Sequence, residues 1–318
     1  MRTQAVKLSP GNVGNAPSPR APGTRAWSLD GLGWVPWLAP AVLLLGVFSY
    51  LPILVEAGLS LFAADGFSPL RFVGLANFRE AFTNADLWTA LANNGWYALA
   101  TVTGKTCLSL LLAVLLHGPL RGRALFRSLF FMPVVLSFVA IGVLWTLIFN
   151  YNYGAMNATL AIVGLGDWRR DWLGTPETAL PAVIAVDLWK WTGFHVVIYL
   201  AGLQSIPPEL HEAAALDGAN AFQRFWRITV PLLKPFTAVN VLLSSLGAFS
   251  VFDLIYVMTQ GGPVKATNVA MIEVYLQAFQ FNQFGYAAAL SVIMLGLIAA
   301  LSGALLWTFG RQPSGRAA

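Results

Sequence analysis

The chain has 318 residues, of which 57% are hydrophobic and 10% are charged, and its formal net charge is +5. A water-soluble domain carries roughly 25% charged residues, so this composition excludes a water-soluble protein and indicates an integral membrane protein. The single cysteine, Cys107, excludes a disulfide framework and a cysteine-based metal cluster.

The chain begins with a polar segment. Residues 1–33 are rich in Pro, Gly, Ser and Asn and include four basic residues, which predicts a disordered basic tail. The segment does not match a secretory signal, because the apolar stretch that follows is far longer than the apolar part of a signal peptide and lacks a clean cleavage site. A second, short tail is predicted at residues 311–318.

Six apolar segments are long enough to cross a bilayer as helices, which requires about 20 residues each. Gly and Pro inside them are tolerated, since neighbouring helices satisfy the freed backbone groups. The sequence therefore predicts an all-α, polytopic membrane protein. The predicted transmembrane helices lie near residues 37–62, 91–117, 126–149, 180–203, 232–258 and 286–309. The predicted divisions are a first transmembrane helix at 34–62, an extracytoplasmic loop at 63–90 and a core at 91–310.

The distribution of Lys and Arg predicts the orientation in the membrane. With the N-terminus in the cytoplasm, the cytoplasmic segments hold 12 basic residues and the opposite segments hold 5. Cytoplasmic loops carry an excess of Lys and Arg, so both termini are predicted to be cytoplasmic. The outer loops at 63–90 and 150–179 have two open interpretations: they shape a vestibule or meet an external partner, or they are simple connectors.

A polar loop at residues 204–231 separates the fourth and fifth predicted spans. Ser205 can cap a helix, Pro208 suits the first helical position, and Gly218 suits a left-handed C-terminal cap. A second, amphipathic helix is predicted from Ala221 to Ile228, ended by Pro231. From composition alone, two interpretations are open: the loop docks into a groove on another protein, or it rests on lipid headgroups.

The same loop resembles the signature loop of ABC importer permeases. The signature is Glu-Ala-Ala, followed after three residues by Gly and after nine more by Ile-x-hydrophobic-Pro. In this chain these positions are Glu212-Ala213-Ala214, Gly218, Ile228, Val230 and Pro231. Other stretches resemble the maltose, glycerol-phosphate and trehalose branch of that family, at residues 72–78, 126–133, 252–263 and 285–289. The resemblance extends over nearly all of residues 37–309.

This resemblance implies a type I ABC importer permease fold in a bacterial or archaeal cell (inner) membrane. It also implies a second, usually unlike permease subunit, two ATPase subunits and an extracytoplasmic solute-binding protein. We call residues 204–231 the coupling loop, because the family docks this loop into the ATPase. The residues implied in coupling are Glu212, Ala213, Ala214, Asp217, Gly218, Ile228 and Pro231.

The chemistry of ATP is expected elsewhere. The sequence contains no Gly-rich phosphate loop ending in Lys-Ser/Thr. ATP and Mg²⁺ are therefore expected in the partner ATPase, with no cofactor and no metal bound by this chain, which is predicted to be a transport subunit and not an enzyme.

Charged residues inside predicted spans are costly and are therefore functional candidates. Asp187 and Lys190 are three residues apart on one helix, close enough to pair. A self-neutralised pair and a polar site for sugar hydroxyls both remain open. Position matching to maltose-type permeases implies a solute wall on the fourth and fifth spans, formed by Asp187, Lys190, Trp191, Phe194, Ser244, Ala248 and Val251. Relatives have Asn at three of these positions, so the same ligand is not implied; the three are Asp187, Ala248 and Val251.

Other ionisable residues have open roles. Lys105, near the middle of the second span, is expected either to neutralise an anionic solute such as a glycerol phosphate or to pair with an acid of the partner permease. Glu56 and Asp253 lie near the outer ends of their spans and are expected to reach water. The histidines lack metal-ligand spacing and are expected to be interfacial or packing residues: His117, His195 and His211.

The function predicted from these features is the permease subunit of an ATP-driven, binding-protein-dependent importer of sugars or related polyols. The alternative within the same class is a permease for a non-sugar solute such as glycerol phosphate. A membrane transferase would need a convergent catalytic motif, and the sequence has none. A secondary transporter usually has more spans, arranged as internal repeats.

Overall fold

The computed structural model describes residues 35–118 and 122–310, so the predicted tails at 1–33 and 311–318 lie outside the described residues. The chain divides after Ile53 into two compact units. The part of the first unit that is described contains α1 (Val35–Leu45), a π-helical turn (Gly46–Tyr50) and the start of α2 (Leu51–Leu59). Residues 37–59 are long and apolar enough to cross a membrane, which confirms the first predicted span.

The second unit begins with a compact connection. Strands β1 (Phe62–Ala63) and β2 (Arg71–Phe72) form an antiparallel hairpin, and α3 (Ala76–Thr83) leads into α4 (Ala85–His117). In the hairpin turn the backbone N–H groups of Ser68 and Phe67 donate to the carboxylate of Asp65. These bonds stabilise the charged form and lower the pKa of Asp65 to about 2. The predicted loop at 63–90 is therefore folded, and the second span begins six residues earlier than the sequence predicted.

The third predicted span, 126–149, is broken. It consists of α5 (Arg123–Val135) and α6 (Phe138–Ile148), bent by 100°. Ser137 has an extended backbone and its hydroxyl accepts the N–H of Ala140, so it caps α6 as a new helix. Apolar composition alone does not show such a break, because both halves are apolar.

Helix α7 (Ala155–Ile162) and a short 3-10 turn (Gly166–Trp168) lead to α8 (Pro176–Gln204). Among the described helices, α4 and α8 form the most extensive packing contact. Helix α5 also packs on α8, at Gly193. A Cβ added to Gly193 would lie 1.9 Å from the carbonyl oxygen of Phe130. The backbones of α5 and α8 therefore approach closely because this position has no side chain.

The fifth predicted span also differs from the prediction. The coupling loop contains α9 (Pro208–Leu216), α10 (Ala221–Arg224) and a π-helical turn (Phe225–Thr229). The chain then continues through α11 (Val230–Leu232) to α12 (Lys234–Phe249). The bend of 64° lies between Leu232 and Lys234. Pro231 does not end a helix as predicted, because it occupies the first turn of α11, where its missing N–H needs no partner.

Helix α12 ends at Phe249, so the predicted span 232–258 is not continuous. Residues 250–252 leave the helical conformation, and α13 (Asp253–Met258) packs separately against α6. The chain then forms α14 (Ala270–Tyr275), a π-helical turn (Leu276–Gln280) and α15 (Phe284–Gly310). Four helices of the described chain are long and apolar enough to span a membrane, or six if each bent pair is one span. The all-α polytopic class is confirmed.

Candidate functional site

A cavity of about 360 Å³ lies between α4, α8 and α12, closed by residues 250–254 and by Phe138 of α6. We call it the central cavity. Of the seven residues predicted for the solute wall, five line it: Asp187, Trp191, Phe194, Ser244 and Val251. Nine further residues, which position matching did not select, also line it, and among them are Lys105, Phe138, His195 and Asp253.

A buried ion pair forms one side of the central cavity. The Lys105 Nζ atom lies 2.6 Å from Oδ2 of Asp187, and the side chains are 5% and 6% exposed. The contact is an ion pair between two buried charges. Of the two interpretations left open for Asp187 and Lys190, the self-neutralised pair is therefore not the one observed. Lys105 pairs with an acid of its own chain, in place of an anionic solute or a partner's acid.

Lys190 faces a different neighbour. Its ammonium group donates to the carbonyl oxygens of Pro133, Val134 and Leu136 at 3.2, 3.3 and 2.7 Å. These carbonyls lie at the C-terminal end of α5, where a cation also interacts favourably with the helix dipole. The same ammonium lies 4.7 Å from the ring centroid of Phe138. Lys190 is thus buried at the break between α5 and α6, and it does not line the central cavity.

His195 joins α8 to α12. Its Nδ1 lies 2.6 Å from Oδ1 of Asn240, and its Nε2 lies 3.2 Å from the hydroxyl of Ser244. With Nδ1 as the donor, Nε2 accepts the Ser244 proton, so the neutral imidazole satisfies both partners. The sequence contained a signal for this placement, since positions 187, 191 and 194/195 share one helix face.

Aromatic rings form the remaining walls. Trp191 and Phe194 meet edge to face with ring centroids 5.8 Å apart, and Phe138 lies 6.0 Å from Trp191. Ala248 is fully buried away from the central cavity, and its carbonyl accepts a hydrogen bond from Asn94 on α4. The central cavity therefore combines aromatic faces with a small number of polar groups, as small-molecule sites do.

The coupling loop is folded by local chemistry. Gly218 has a φ of +84°, which is readily adopted by glycine. The N–H groups of Ala219 and Gly218 donate to the carbonyls of Ala214 and Ala215, which ends α9 in a Schellman motif. The predicted cap at Gly218 is confirmed. The predicted cap by Ser205 is wrong, since its hydroxyl donates back to Gly202 at the end of α8.

The second half of the coupling loop is tied to the first. Asn220 and Gln223 form a reciprocal capping box at the start of α10. An Arg224 guanidinium nitrogen donates to the carbonyl of His211, 3.3 Å away, which connects α10 to α9. A groove of about 700 Å³ adjoins this contact and includes His117, His211 and Glu212 in its lining.

The outer face of the coupling loop exposes large apolar side chains. Leu216 is 90% exposed, Phe222 72% and Trp226 53%. Of the predicted coupling residues, Ala214 and Ile228 are half-buried, and the others are exposed: Glu212, Ala213, Asp217, Gly218 and Pro231. Within residues 35–118 and 122–310, no three His, Cys, Asp or Glu side chains are arranged to hold a metal ion.

The sequence profile of the family described as binding-protein-dependent transport system inner membrane component matches residues 105–307. The chain belongs to this family, the membrane-embedded subunits of solute transport systems. Named relatives include the probable ABC transporter permease YurN of Bacillus subtilis, which is 39% identical over 269 residues, covering 84% of this chain and 92% of YurN. The trehalose/maltose transport system permease MalF of Thermococcus litoralis is 36% identical, with coverage of 82% and 88%. The lactose transport system permease LacF of Rhizobium radiobacter is 35% identical, with coverage of 85% and 91%.

Solved structures give the same fold. One chain of a bacterial ABC transporter involved in the import of the acidic polysaccharide alginate superposes with a TM-score of 0.77 at 23% identity, covering 88% of this chain and 96% of that one. A chain of the alginate transporter in complex with a pentasaccharide-bound periplasmic protein gives 0.75 at 22% identity, with coverage of 86% and 92%. The predicted type I importer permease fold is confirmed.

Proposed function

We propose that this chain forms part of the translocation pathway of an ATP-driven importer of sugars or related polyols, with the central cavity as its solute site. The observation that carries the proposal is the composition of that cavity: ring faces from Trp191 and Phe194 beside hydrogen-bonding groups from His195 and Ser244. A sugar ring has apolar faces and a rim of hydroxyls, so it matches both. Relatives named for trehalose/maltose, lactose and multiple sugars support the same class.

The charges favour a neutral solute over an anionic one such as glycerol phosphate. The ammonium of Lys105 is already neutralised by Asp187 at 2.6 Å. The other carboxylate in the lining, Asp253, is exposed and lacks an ion-pair partner among the described residues. An anionic solute would have to break a buried ion pair to gain a counter-charge, at a cost of several kcal/mol in order of magnitude.

Coupling to ATP hydrolysis is proposed at the coupling loop. Its exposed apolar side chains, of which Leu216 is the most exposed, are typical of a docking surface. Exposed apolar residues cluster where a partner covers them. A rigid helix ended at Gly218 suits insertion into a groove of an ATPase subunit. The residues proposed to meet the ATPase are Glu212, Ala213, Ala214, Asp217, Gly218, Ile228 and Pro231.

The proposed assembly contains a second six-helix permease, two ATPase subunits and an extracytoplasmic solute-binding protein. ATP and Mg²⁺ act in the ATPase subunits, and this chain binds no cofactor. The excess of Lys and Arg on the side of the coupling loop supports an orientation with both termini in the cytoplasm.

Transport of defined solutes tests the substrate class. The complete transporter is reconstituted in proteoliposomes with its binding protein, and ATP-dependent uptake of trehalose, maltose, lactose and glycerol 3-phosphate is measured. Uptake of at least one neutral sugar, without uptake of glycerol phosphate, is expected. Uptake of glycerol phosphate alone would contradict the charge argument and the sugar assignment together.

The coupling role is tested by a matched pair of glycine substitutions. Gly218→Val forces a β-branched residue into a left-handed conformation, at a cost of about 1–2 kcal/mol, and is expected to abolish uptake. Gly164→Val is the control, because Gly164 has a φ of +80° and also lies in open space. A cysteine at Ala214 is expected to cross-link to the ATPase subunit. Normal uptake by Gly218→Val together with no cross-link would exclude the coupling role.

A further inference from the structure

A second cavity, of about 440 Å³, lies where α4 and α8 end and α5 begins. We call it the basic cavity. Its polar lining consists of Arg123 and Arg127 from α5, Ser128 beside them, His117 at the end of α4 and Gln204 at the end of α8. Among the described residues, no Asp or Glu contributes to this lining. The proposed solute pathway does not use any of these residues.

The two arginines share one face of α5. They are four residues apart, which places their side chains next to each other along a helix. The ion pairs among the described residues are Lys105–Asp187 and Lys265–Asp86. Neither Arg123 nor Arg127 therefore has a carboxylate partner within the part of the chain that the structure describes. The basic cavity thus carries two positive charges that no carboxylate of the described residues compensates.

The start of α5 adds to this positive potential. The helix begins at Arg123, after Gly122, and no side chain of a described residue caps its N-terminus. The first N–H groups of a helix and its dipole attract anions. Ala124, in this first turn, also lines the basic cavity. The guanidinium groups and the helix terminus thus both favour a negatively charged ligand.

The basic cavity is also amphipathic and lies at the level of helix ends. Leu116 and Leu200 contribute apolar lining beside the arginines. The ends of α4 and α8 meet the start of α5 here, and such helix ends lie near the headgroup region of a bilayer. A free phosphate ion would gain nothing from the leucines. A phospholipid would place its phosphate on the arginines and its chain along the apolar lining.

We propose that the basic cavity binds the phosphate of an anionic phospholipid, held by Arg123 and Arg127. Arginine matches phosphate with paired N–H donors, and such charge-assisted bonds are about twice as strong as neutral hydrogen bonds. Basic pockets between transmembrane helices bind acidic headgroups for this reason. The Gln204 amide supplies a further donor, whereas the Ser128 hydroxyl donates to the backbone carbonyl of Ala124.

The location connects this lipid to the coupling loop. His117 and Gln204 line the basic cavity and also the groove that includes His211 and Glu212. A headgroup on the arginines would therefore lie next to the helix ends that carry α9. The bound lipid stabilises this part of the protein and holds the start of α5 and the end of α8 together.

Lipid binding is measured on the transporter that contains this chain, purified in a neutral detergent and depleted of lipid. Phosphatidylglycerol is titrated in, with native mass spectrometry counting bound lipids and thermal unfolding reporting stabilisation. Each basic residue near an anionic lipid contributes ~1 kcal/mol. Arg123→Gln/Arg127→Gln is therefore expected to weaken phosphatidylglycerol binding about 30-fold, equivalent to ~2 kcal/mol, and each single variant about 5-fold.

Controls separate the sources of the effect. Arg79→Gln/Arg169→Gln removes the same amount of charge from two exposed arginines that are distant from α5 in the sequence. This variant is expected to bind phosphatidylglycerol normally. Arg123→Lys/Arg127→Lys keeps the charge and is expected to retain most of the binding. Equal binding of phosphatidylcholine, equal stabilisation by inorganic phosphate, or unchanged binding by the glutamine variants would each overturn the proposal.

Discussion

The central cavity buries charged residues, whereas the coupling loop exposes apolar ones. In and beside the central cavity, charged residues are buried: the side chains of Lys105 and Asp187 are 5% and 6% exposed, and Lys190 as a whole residue is 2% exposed. On the coupling loop, which carries polar residues, a leucine is 90% exposed. The buried charges have partners within the chain. Most of the Leu216 side chain, by contrast, contacts no other described residue.

This difference separates the groups that the chain compensates by itself from the apolar surface that is proposed to meet a partner. A buried charge is tolerated when a counter-charge or several carbonyls surround it, and both arrangements are present within one helix, α8. An exposed apolar side chain gains free energy when another surface covers it. The buried charges of Lys105, Asp187 and Lys190 are therefore compensated within the chain, whereas the coupling loop exposes apolar surface, in keeping with the external contact proposed for it.

The largest expected effect comes from breaking the buried ion pair. Asp187→Leu leaves the Lys105 ammonium buried without a counter-charge, and the free energy of unfolding is expected to fall by about 3–5 kcal/mol. Lys105→Met/Asp187→Leu removes both charges and is expected to restore most of this loss. Denaturant unfolding of the purified transporter measures both variants.

The exposed pair Lys265–Asp86 provides the control for this prediction. Its atoms are also 2.6 Å apart, but the side chains are 49% and 41% exposed. Asp86→Leu is therefore expected to change the free energy of unfolding by no more than about 1 kcal/mol. Equal losses for Asp187→Leu and Asp86→Leu would show that burial does not set the cost.

An intermediate effect is expected at the break in the third span. Lys190→Met removes the charged donor from the carbonyls that end α5, and it should lower the free energy of unfolding by about 2–3 kcal/mol. Lys234→Met is the control, because Lys234 is exposed at the start of α12, and a change within about 0.5 kcal/mol is expected. Direct loss of solute affinity in Lys190→Met, with unchanged stability, would instead place Lys190 in the solute site.

The smallest effect on stability, with a clear effect on transport, is expected at the coupling loop. Leu216→Gln should change the free energy of unfolding by less than about 0.5 kcal/mol, because the side chain is exposed. Uptake should fall about ten-fold, as expected when a central contact worth ~1.4 kcal/mol is lost. Ile162→Gln is the matched control, since Ile162 is also the last residue of a short helix and is 85% exposed. Similar uptake by the two variants would contradict docking through Leu216.

Local signals were reliable where a few neighbouring residues determine the structure. Gly218 was predicted to end a helix and does so, because only the backbone conformation at that position matters. The first and last spans were predicted within a few residues, since apolar length decides them. The breaks after Val135 and Phe249 were missed, because each lies inside a stretch that is apolar on both sides.

The sequence by itself determined the membrane class, the apolar segments and the end of α9 at Gly218, because hydropathy and turn chemistry act over short distances. The tertiary structure alone decided the partners of the buried charges. Spacing placed Asp187 and Lys190 on one helix, but the choice of partner depends on which neighbouring helix faces each side chain. Asp187 faces Lys105 on α4, and Lys190 faces the carbonyl end of α5.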